Sequence, residues 1–455
     1  MTARIAHLFL FLAGNCLAAT SRSAHQNTIF RDVVILGGGS TGVYSAIQLR
    51  DRGLSIAVIE RNDRLGGHGE TYYTEDNTPL NYGVEGFFNT SITRVYLERL
   101  QVRYGLRVSA PAHNEYVNLL TGERTDPPPG QLDDAEAFPK WTAAISQFDF
   151  LEDGSYNLPD RVPEDLLLPF GEFVRKYNVE DTVYSCFTHT GFDVLEMITL
   201  YVIQFIGIPH AAALTQGYIR PFDGIAGLYI AAGRELGEDV LLKTTIDKVV
   251  RSEDGVTVTV HNADGIETTL QARYLLVTIP PLLHELQAFD LSTHEVDLFS
   301  RWQYHQYWAV LVNDTGLPSN LTVVNVDPNR AYGVPAEPFL WRIHSHLAPG
   351  YHNIKLGGYV DFDEARAREF MQETLSFLNE QGTYTTREAN IVQFGNHSPT
   401  LMFVTAEDIR DGFYRELYRL QGRNSTFWTG AAWASDYSTL LWGFTEGVLG
   451  MMDFS

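Results

Sequence analysis

The apolar positions of this chain fall into short continuous runs and short alternations, with few long helical stripes between them. Val33, Val34, Ile35 and Leu36 form a β-rich run with no polar break, which predicts a strand buried on both faces. Gly37-Gly38-Gly39-Ser40-Thr41-Gly42 follows at once, and Val43, Ala46 and Ile47 then predict a helix to about Arg52, with Gly53 as its left-handed stop. Ile56 to Ile59 is a second buried strand, closed by Glu60. Val240-Leu241-Leu242 and Thr245 to Val249 lead into Val256, Val258 and Val260, which alternate with threonines between the turns Asp254-Gly255 and Asp264-Gly265. That pattern predicts a β-meander with one buried face. Leu275 to Thr278 returns as a buried strand before Pro280-Pro281. Residues 91–214 are mostly helix-prone around an irregular Pro127-Pro128-Pro129-Gly130 segment, and Leu195 to Ile208 reads as a buried helix. Strand character marks 307–312, 321–326, 339–345 and 354–360. Asp363 caps a helix predicted to reach Gln381, with Gly382 just past its end. Near the C-terminus, Phe427-Trp428 predicts a strand and Gly443 to Val448 the start of a final helix.

The glycine run carries chemistry because of what surrounds it. Positions 37, 39 and 42 match G-x-G-x-x-G directly after a buried strand and at the mouth of a helix. Gly37 permits the tight turn, Gly39 lets the main chain approach a pyrophosphate, and Gly42 lets helix and sheet pack closely. Ser40 and Thr41 open the helix, whose unpaired N–H groups and positive dipole end suit phosphate. Glu60 lies about 20 residues beyond the glycines, where a carboxylate accepts ribose hydroxyls. The unit therefore predicts a dinucleotide cofactor. Arg64-Leu65-Gly66-Gly67-His68 follows Glu60 immediately, and a second glycine pair so close points to FAD rather than a nicotinamide.

With that loop the chain resembles the flavin-containing amine oxidoreductase superfamily, whose first strand pair is followed by an R-x-G-G-R element. The resemblance implies an α/β fold: a Rossmann-like FAD-binding domain, of the amine-oxidase and glutathione-reductase kind, with an α+β substrate domain. It implies that Arg64, Gly66, Gly67 and His68 touch the pyrophosphate and fold against the isoalloxazine. His68 stands where the family has its second arginine and Asn62 where it often has another, leaving Arg61 and Arg64 to supply the cations. Thr429-Gly430-Ala431 and Gly443-Phe444-Thr445-Glu446-Gly447 resemble the superfamily's closing glycine turn and G-Y-x-E-G-A helix. By that likeness Gly430 and Ala431 approach the phosphates or ribityl chain, Phe444 takes the place of a cage tyrosine, and the Thr445 N–H meets the flavin. Ile246 corresponds to the residue that meets the adenine through its backbone. The expected division is a leader at 1–18, a discontinuous FAD-binding domain at 30–90, 215–282 and 415–455, and a substrate domain at 91–214 and 283–414. The lysine that amine oxidases of the superfamily contribute from the strand after the two-proline element is expected to be missing, since none occurs between Lys248 and Lys355. Within the superfamily, Gly66-Gly67-His68, Asn81-Tyr82-Gly83-Val84 and the stretch from Trp433-Ala434-Ser435 to Leu440-Leu441-Trp442 resemble a secreted subgroup of the beta-cyclopiazonate dehydrogenase type.

Charge and cysteine usage narrow the setting. Lys and Arg total 33 against 56 for Asp and Glu, a formal net charge of −23. Such a surface repels polyanions, so nucleic acid is excluded as a partner and a small-molecule substrate is expected. Arg4, the apolar run Ile5 to Gly14 and the small residues up to Ala18 read as a secretory leader, too short for a membrane span. Removing it takes away Cys16 and leaves Cys186 without a partner. Acceptor triplets at Asn89, Asn313, Asn320, Asn396 and Asn424 agree with export and glycosylation.

The chemistry expected is hydride removal by FAD from a C–N or activated C–H bond of a small aromatic or secondary-metabolite substrate, with molecular oxygen as the second acceptor. Trp341, Trp433, Tyr437 and Trp442 suit an aromatic ligand, Trp341 and Trp442 being the substrate-binding candidates. The alternative is a flavin-dependent double-bond isomerase of polyunsaturated fatty acids, anchored by Arg220 or Arg342; a flavin-binding scaffold without activity is a third reading. No metal-ligand spacing occurs, and no spacing singles out an acid or base among His68, Tyr82 and Glu85. Cys186 is the one cysteine left for covalent attachment of the flavin.

Overall fold

The computed structural model describes residues 27–107 and 112–454, so the expected leader lies outside the described residues. The apolar run that opens the cofactor motif lies in the strand Asn27–Leu36, at the middle of a seven-stranded sheet. Ile56–Ile59 pairs with it in parallel, Val33 beside Ile56 and Leu36 beside Ile59, and Val240–Leu241 lies beyond. On the other side lies Glu267–Val277, also parallel. Its last residues pair with Thr426–Trp428, Val277 beside Trp428. Its first residues instead continue the antiparallel meander of Gly255–Asn262 and Thr244–Ser252. Val33 to Leu36 are wholly buried because both faces are covered here, Val33 and Ile35 packing in one core with Val43, Ala46 and Ile47 of the following helix and Val34 and Leu36 in a second core with meander valines such as Val258, which is why the run carries no polar alternation.

Helix Ser40–Asp51 covers one face, and Gly53 ends it with φ +82°. There the N–H of Gly53 bonds the Arg50 carbonyl and that of Leu54 the Leu49 carbonyl, a Schellman stop. The C-terminal helix, Ser438–Gly450, lies alongside. Trp442 stacks on Tyr44 at 5.5 Å and its indole N–H bonds the Ser40 hydroxyl at 3.1 Å, while the Tyr44 hydroxyl donates to Glu446 at 2.8 Å. The meander is tied to the helix Thr293–Phe299 by Arg251, whose side chain is fully buried and bonds Asp290 at 2.7 Å and both carboxylate oxygens of Glu295.

An eight-stranded sheet builds the other half. Its order is Asn390–Asn396, Gln303–Asn313, Tyr351–Gly358, Phe339–Ser345, Leu321–Asn325, His113–Asn118 and Glu123–Arg124, with Thr400–Phe403 beside Gln303–Asn313. The helix Glu364–Glu380 lays Phe370, Met371, Leu375 and Leu378 on one face of it, and its cap is Asp363, which accepts the Arg366 N–H at 2.9 Å. Two expectations change here. His113–Asn118, inside the helix-prone stretch, is a strand that pairs in parallel with Leu321–Asn325, because its partner comes from 200 residues later and local propensity cannot show it. The apolar stretch from Leu195 splits into Thr199–Phe205 and Ile208–Gln216, broken at Gly207. No helix among the described residues is long and apolar enough to cross a membrane.

Candidate active site

The glycine cradle is locked by contacts within the chain. Gly37 has φ +102°, and a Cβ at Gly42 would sit 1.9 Å from the Gly37 carbonyl oxygen. At Gly39 the opposite holds: a Cβ there meets nothing within 4 Å, so its outer face is open. Gly39 is also the N-cap of Ser40–Asp51 and has no side chain to satisfy the first-turn N–H groups of Ser40, Thr41 and Gly42. No acidic residue occupies that turn. The second glycine pair docks on the first. Gly66 N–H bonds the Gly38 carbonyl at 2.7 Å, and a Cβ at Gly67 would lie 3.2 Å from Gly39 Cα. Glu60 is buried, accepting the N–H of Gly38 at 2.8 Å and of Asn62 at 2.7 Å. Each of its oxygens keeps a lone pair for a further donor. Thr244, two residues before Ile246, donates its N–H to the Glu60 carbonyl at 3.0 Å, which brings the Ile246 strand to the same end. An open glycine face, a helix start free of capping and a carboxylate at the strand tip fit the adenosine diphosphate half of FAD.

The Arg61 side chain is exposed and pairs with Glu285 at 3.2 Å. Arg64 does work inside the loop, donating to the Gly67 carbonyl at 2.9 Å and to Glu70. Glu70 in turn bonds His397 Nε2 at 2.9 Å, and the His397 ring stacks on His68 at 4.3 Å and 7°. This relay fixes the His68 ring on the wall of a cavity. The protein packed around the ring, with His397 and Arg64 close by, pushes His68 well below the usual histidine range, although the side chain is exposed on its cavity side.

That cavity, about 420 Å³, opens between the glycine loop, the start of the C-terminal helix and the large sheet. Phe88, Tyr307, Trp341 and Tyr437 supply aromatic surface. Glu85, Arg107, Arg342, Lys355 and Asp436 supply charge. Glu85 pairs with Lys355 at 3.0 Å and with Arg107, and His344 Nε2 lies 3.5 Å away. Burial alone would raise Glu85, but Lys355, Arg107, His344 and Arg342 outweigh it and hold the carboxyl well below its usual range. Asp436 is different. It opens on the cavity while protein encloses it, it makes no hydrogen bond or ion pair among the described residues, and burial pushes it up to about 7.

Three expectations about the C-terminal segment are overturned. The final helix starts at Ser438, not at Gly443, so the free N–H groups that face the cavity belong to Ser438 and Thr439. Thr445 sits two turns inside, fully buried, its N–H within the helical ladder and its hydroxyl 2.8 Å from that of Thr429; it is not placed to meet a flavin. Phe444 packs against Tyr418 and the core instead of entering the cavity. The early start escapes a reading by motif because the N-cap is Tyr437, whose side chain makes no capping hydrogen bond. Trp442 is likewise core, between Tyr44, Tyr96 and Phe87, and is no substrate contact. Trp341 does line the cavity, whereas Arg220, on Tyr218–Pro221, does not. A cavity lysine is present after all. Lys355 comes from Tyr351–Gly358, the strand paired with Gln303–Asn313, so it reaches the site from a neighbouring strand. Cys186 is fully buried away from the cavity, which disposes of it as an attachment point. Gly430 has φ +114° at the turn after Thr426–Trp428, and Ala431 beside it is exposed.

The family model for flavin containing amine oxidoreductases matches residues 40–306. The chain belongs to that family. It is 64% identical over 452 residues, 99% of both chains, to a protein named beta-cyclopiazonate dehydrogenase from Aspergillus flavus. It is 32% identical over 453 residues, 94% of both chains, to an FAD-dependent oxidoreductase of Colletotrichum higginsianum. Among solved structures it is similar to a fatty acid isomerase from P. acnes, with TM-score 0.73 and 16% identity over 93% of this chain and 99% of that one. Cyclohexylamine oxidase from Brevibacterium oxydans gives TM-score 0.64 at 18% identity, over 92% and 98%. The protein is an FAD-dependent oxidoreductase acting on small molecules, an amine-oxidase fold related to fungal secondary-metabolite dehydrogenases.

Proposed function

We propose that this oxidoreductase dehydrogenates β-cyclopiazonate or a close structural relative of it. The observation that carries the reading is the full-length identity of 64%, which spans the cofactor sheet and the sheet that walls the cavity alike. The aromatic cavity and its buried charges agree with a planar, partly polar secondary metabolite. Bound FAD supplies a ring able to accept a hydride. The chain's own residues do the rest. Trp341, Tyr307 and Phe88 orient the substrate, and the N–H groups of Ser438 and Thr439 direct a positive helix end into the site. Loss of two hydrogens as hydride plus proton needs a proton acceptor, and the Asp436 carboxylate, unpartnered and facing the cavity, takes that proton. Molecular oxygen is the second acceptor. The leader and the exposed acceptor residues Asn320 and Asn396 support action in the secretory lumen or outside the cell.

The test is anaerobic mixing of the purified yellow protein with β-cyclopiazonate. The expected result is one bleaching of the flavin absorbance per site and a product lighter by two hydrogen atoms, with turnover resuming on admission of air. No bleaching refutes the reading. Repeated anaerobic turnover without mass change indicates an isomerase instead.

A further inference from the structure

One wall of the cavity carries a hydrogen-bond acceptor that nothing in the chain fills. His210 stands in the helix Ile208–Gln216 and lines the cavity with only 5% of its surface exposed. Its Nδ1 lies 2.7 Å from the Phe205 carbonyl, and a carbonyl only accepts, so Nδ1 carries the hydrogen. Burial, with His189 beside it, pushes the ring down to about 3, so His210 is neutral through the ordinary pH range and its Nε2 is a bare lone pair. That nitrogen makes no hydrogen bond among the described residues, and it is not one of the polar atoms the protein seals off. Its neighbours leave it free. His189 turns its own Nε2 to Asp134 at 2.9 Å. Phe88, Tyr218 and Tyr437, which also line the cavity, stand around the imidazole with ring centres 5.8, 6.1 and 4.7 Å away, and neither tyrosine hydroxyl bonds it. An acceptor left unpaired in so buried a place costs about 1–3 kcal/mol, which a ligand donor recovers.

We infer that His210 is a specificity-determining residue: its Nε2 accepts a hydrogen bond from a donor on the edge of the substrate's ring, while that ring lies against Phe88, Tyr218 and Tyr437. The inference rests on the cavity being the substrate site, as proposed above, but not on which molecule fills it. Aromatic walls alone separate flat molecules of one size poorly, whereas a site built to receive a hydrogen bond rejects the isostere that lacks the donor, because the acceptor is then buried unpaired. The Phe205 carbonyl thus acts through the ring, since by holding Nδ1–H it keeps Nε2 an acceptor.

The probes are indole and benzothiophene, rings of nearly the same shape of which only indole has an N–H. Each is titrated into the FAD-loaded protein and read by perturbation of the visible flavin spectrum. Indole is expected to bind about tenfold more tightly, the scale of one hydrogen bond to an acceptor otherwise left unpaired. His210→Asn separates the two ring nitrogens: its amide nitrogen takes the place of Nδ1 and keeps the bond to Phe205, and nothing replaces Nε2. It should erase the preference by weakening indole alone, with benzothiophene binding, flavin content and the flavin spectrum unchanged. Equal binding of the two probes by the wild type overturns the assignment, as does a His210→Asn protein that still prefers indole. A His210→Asn protein that folds but loses flavin also overturns it, since the lone pair then serves the cofactor. Should His210→Asn fail to fold, the wild-type ratio and His210→Phe, which fills the ring space without either nitrogen, decide. Failure to oxidise β-cyclopiazonate with the indole preference intact would count against the substrate named earlier and leave the role of His210 standing.

Discussion

Two glycines three positions apart in the cradle separate folding from cofactor binding. At Gly39 the backbone is extended, with φ −73° and ψ −173°, so alanine adopts it without strain, and the added methyl meets no protein atom within 4 Å. Exchange of glycine for alanine at an N-cap costs about 1 kcal/mol or less. The methyl does occupy the open face that a pyrophosphate must reach. Holding the phosphate off by a methyl forfeits one charge-assisted hydrogen bond, about 1.5–3 kcal/mol, or roughly 10- to 100-fold in FAD affinity. At Gly42 the methyl would lie 1.9 Å from the Gly37 oxygen, so helix and turn must part, at about 1–3 kcal/mol of stability. The assay measures the thermal midpoint of each apoprotein and the Kd for added FAD. Gly39→Ala should melt close to wild type and purify nearly colourless; Gly42→Ala should melt lower. Gly39→Ala protein that binds FAD within twofold of wild type would show that the open face is not the phosphate seat.

Other consequences follow from the buried charges. Arg251→Ala leaves Asp290 and Glu295 facing each other without their cation and should cost about 3–5 kcal/mol, read as a lower urea midpoint; an unchanged midpoint contradicts the clasp. If Asp436 accepts the substrate proton, kcat/KM should rise with pH through a limb near 7, and Asp436→Asn should flatten that limb. Burial pushes His210 down to about 3 and His68 well below its usual range, so neither produces it, while His189 and His397 each face a carboxylate, Asp134 and Glu70. A limb that survives in Asp436→Asn reassigns the base. Glu85 is held below the ordinary glutamate value near 4.5, so its pairing stabilises the fold above that pH and is lost as the pH falls through the folded-state value. Between about pH 6 and pH 3.5 the wild type should therefore lose more stability in urea than Glu85→Gln; equal losses refute the pairing.

The cofactor half was legible because its signals are local and ordered. A buried run, a glycine triplet, a helix with its Gly53 stop and a terminal Glu60 occur within some thirty residues, and each has a steric reason that holds whatever else the chain does. The cavity was not legible for the opposite reason. Glu85, Arg107, Arg342, Lys355 and Asp436 come from five places and meet only through sheet pairing, such as Tyr351–Gly358 against both Gln303–Asn313 and Phe339–Ser345. The lysine was sought on one strand and stands on its neighbour. Thr445 was misplaced because a motif marks residues but not where a helix begins, and the helix starts at an N-cap, Tyr437, that makes no side-chain capping bond. Trp442 and Trp341 are chemically alike in sequence, and only packing sends one to the core and the other to the cavity.

The strand Thr426–Trp428 and the helix behind it have a bearing on how the protein is made. Tyr44 meets Glu446 across 402 residues, and the edge of Glu267–Val277 waits for its neighbour until Thr426–Trp428 has been made. Synthesis therefore outruns assembly: the nascent polypeptide carries a bare sheet margin and an unclosed nucleotide seat until Thr426–Trp428 and Ser438–Gly450 have emerged, a slow, non-local closure. A premature stop anywhere before the last thirty residues should yield an aggregation-prone, pigmentless fragment, however complete its glycine motif.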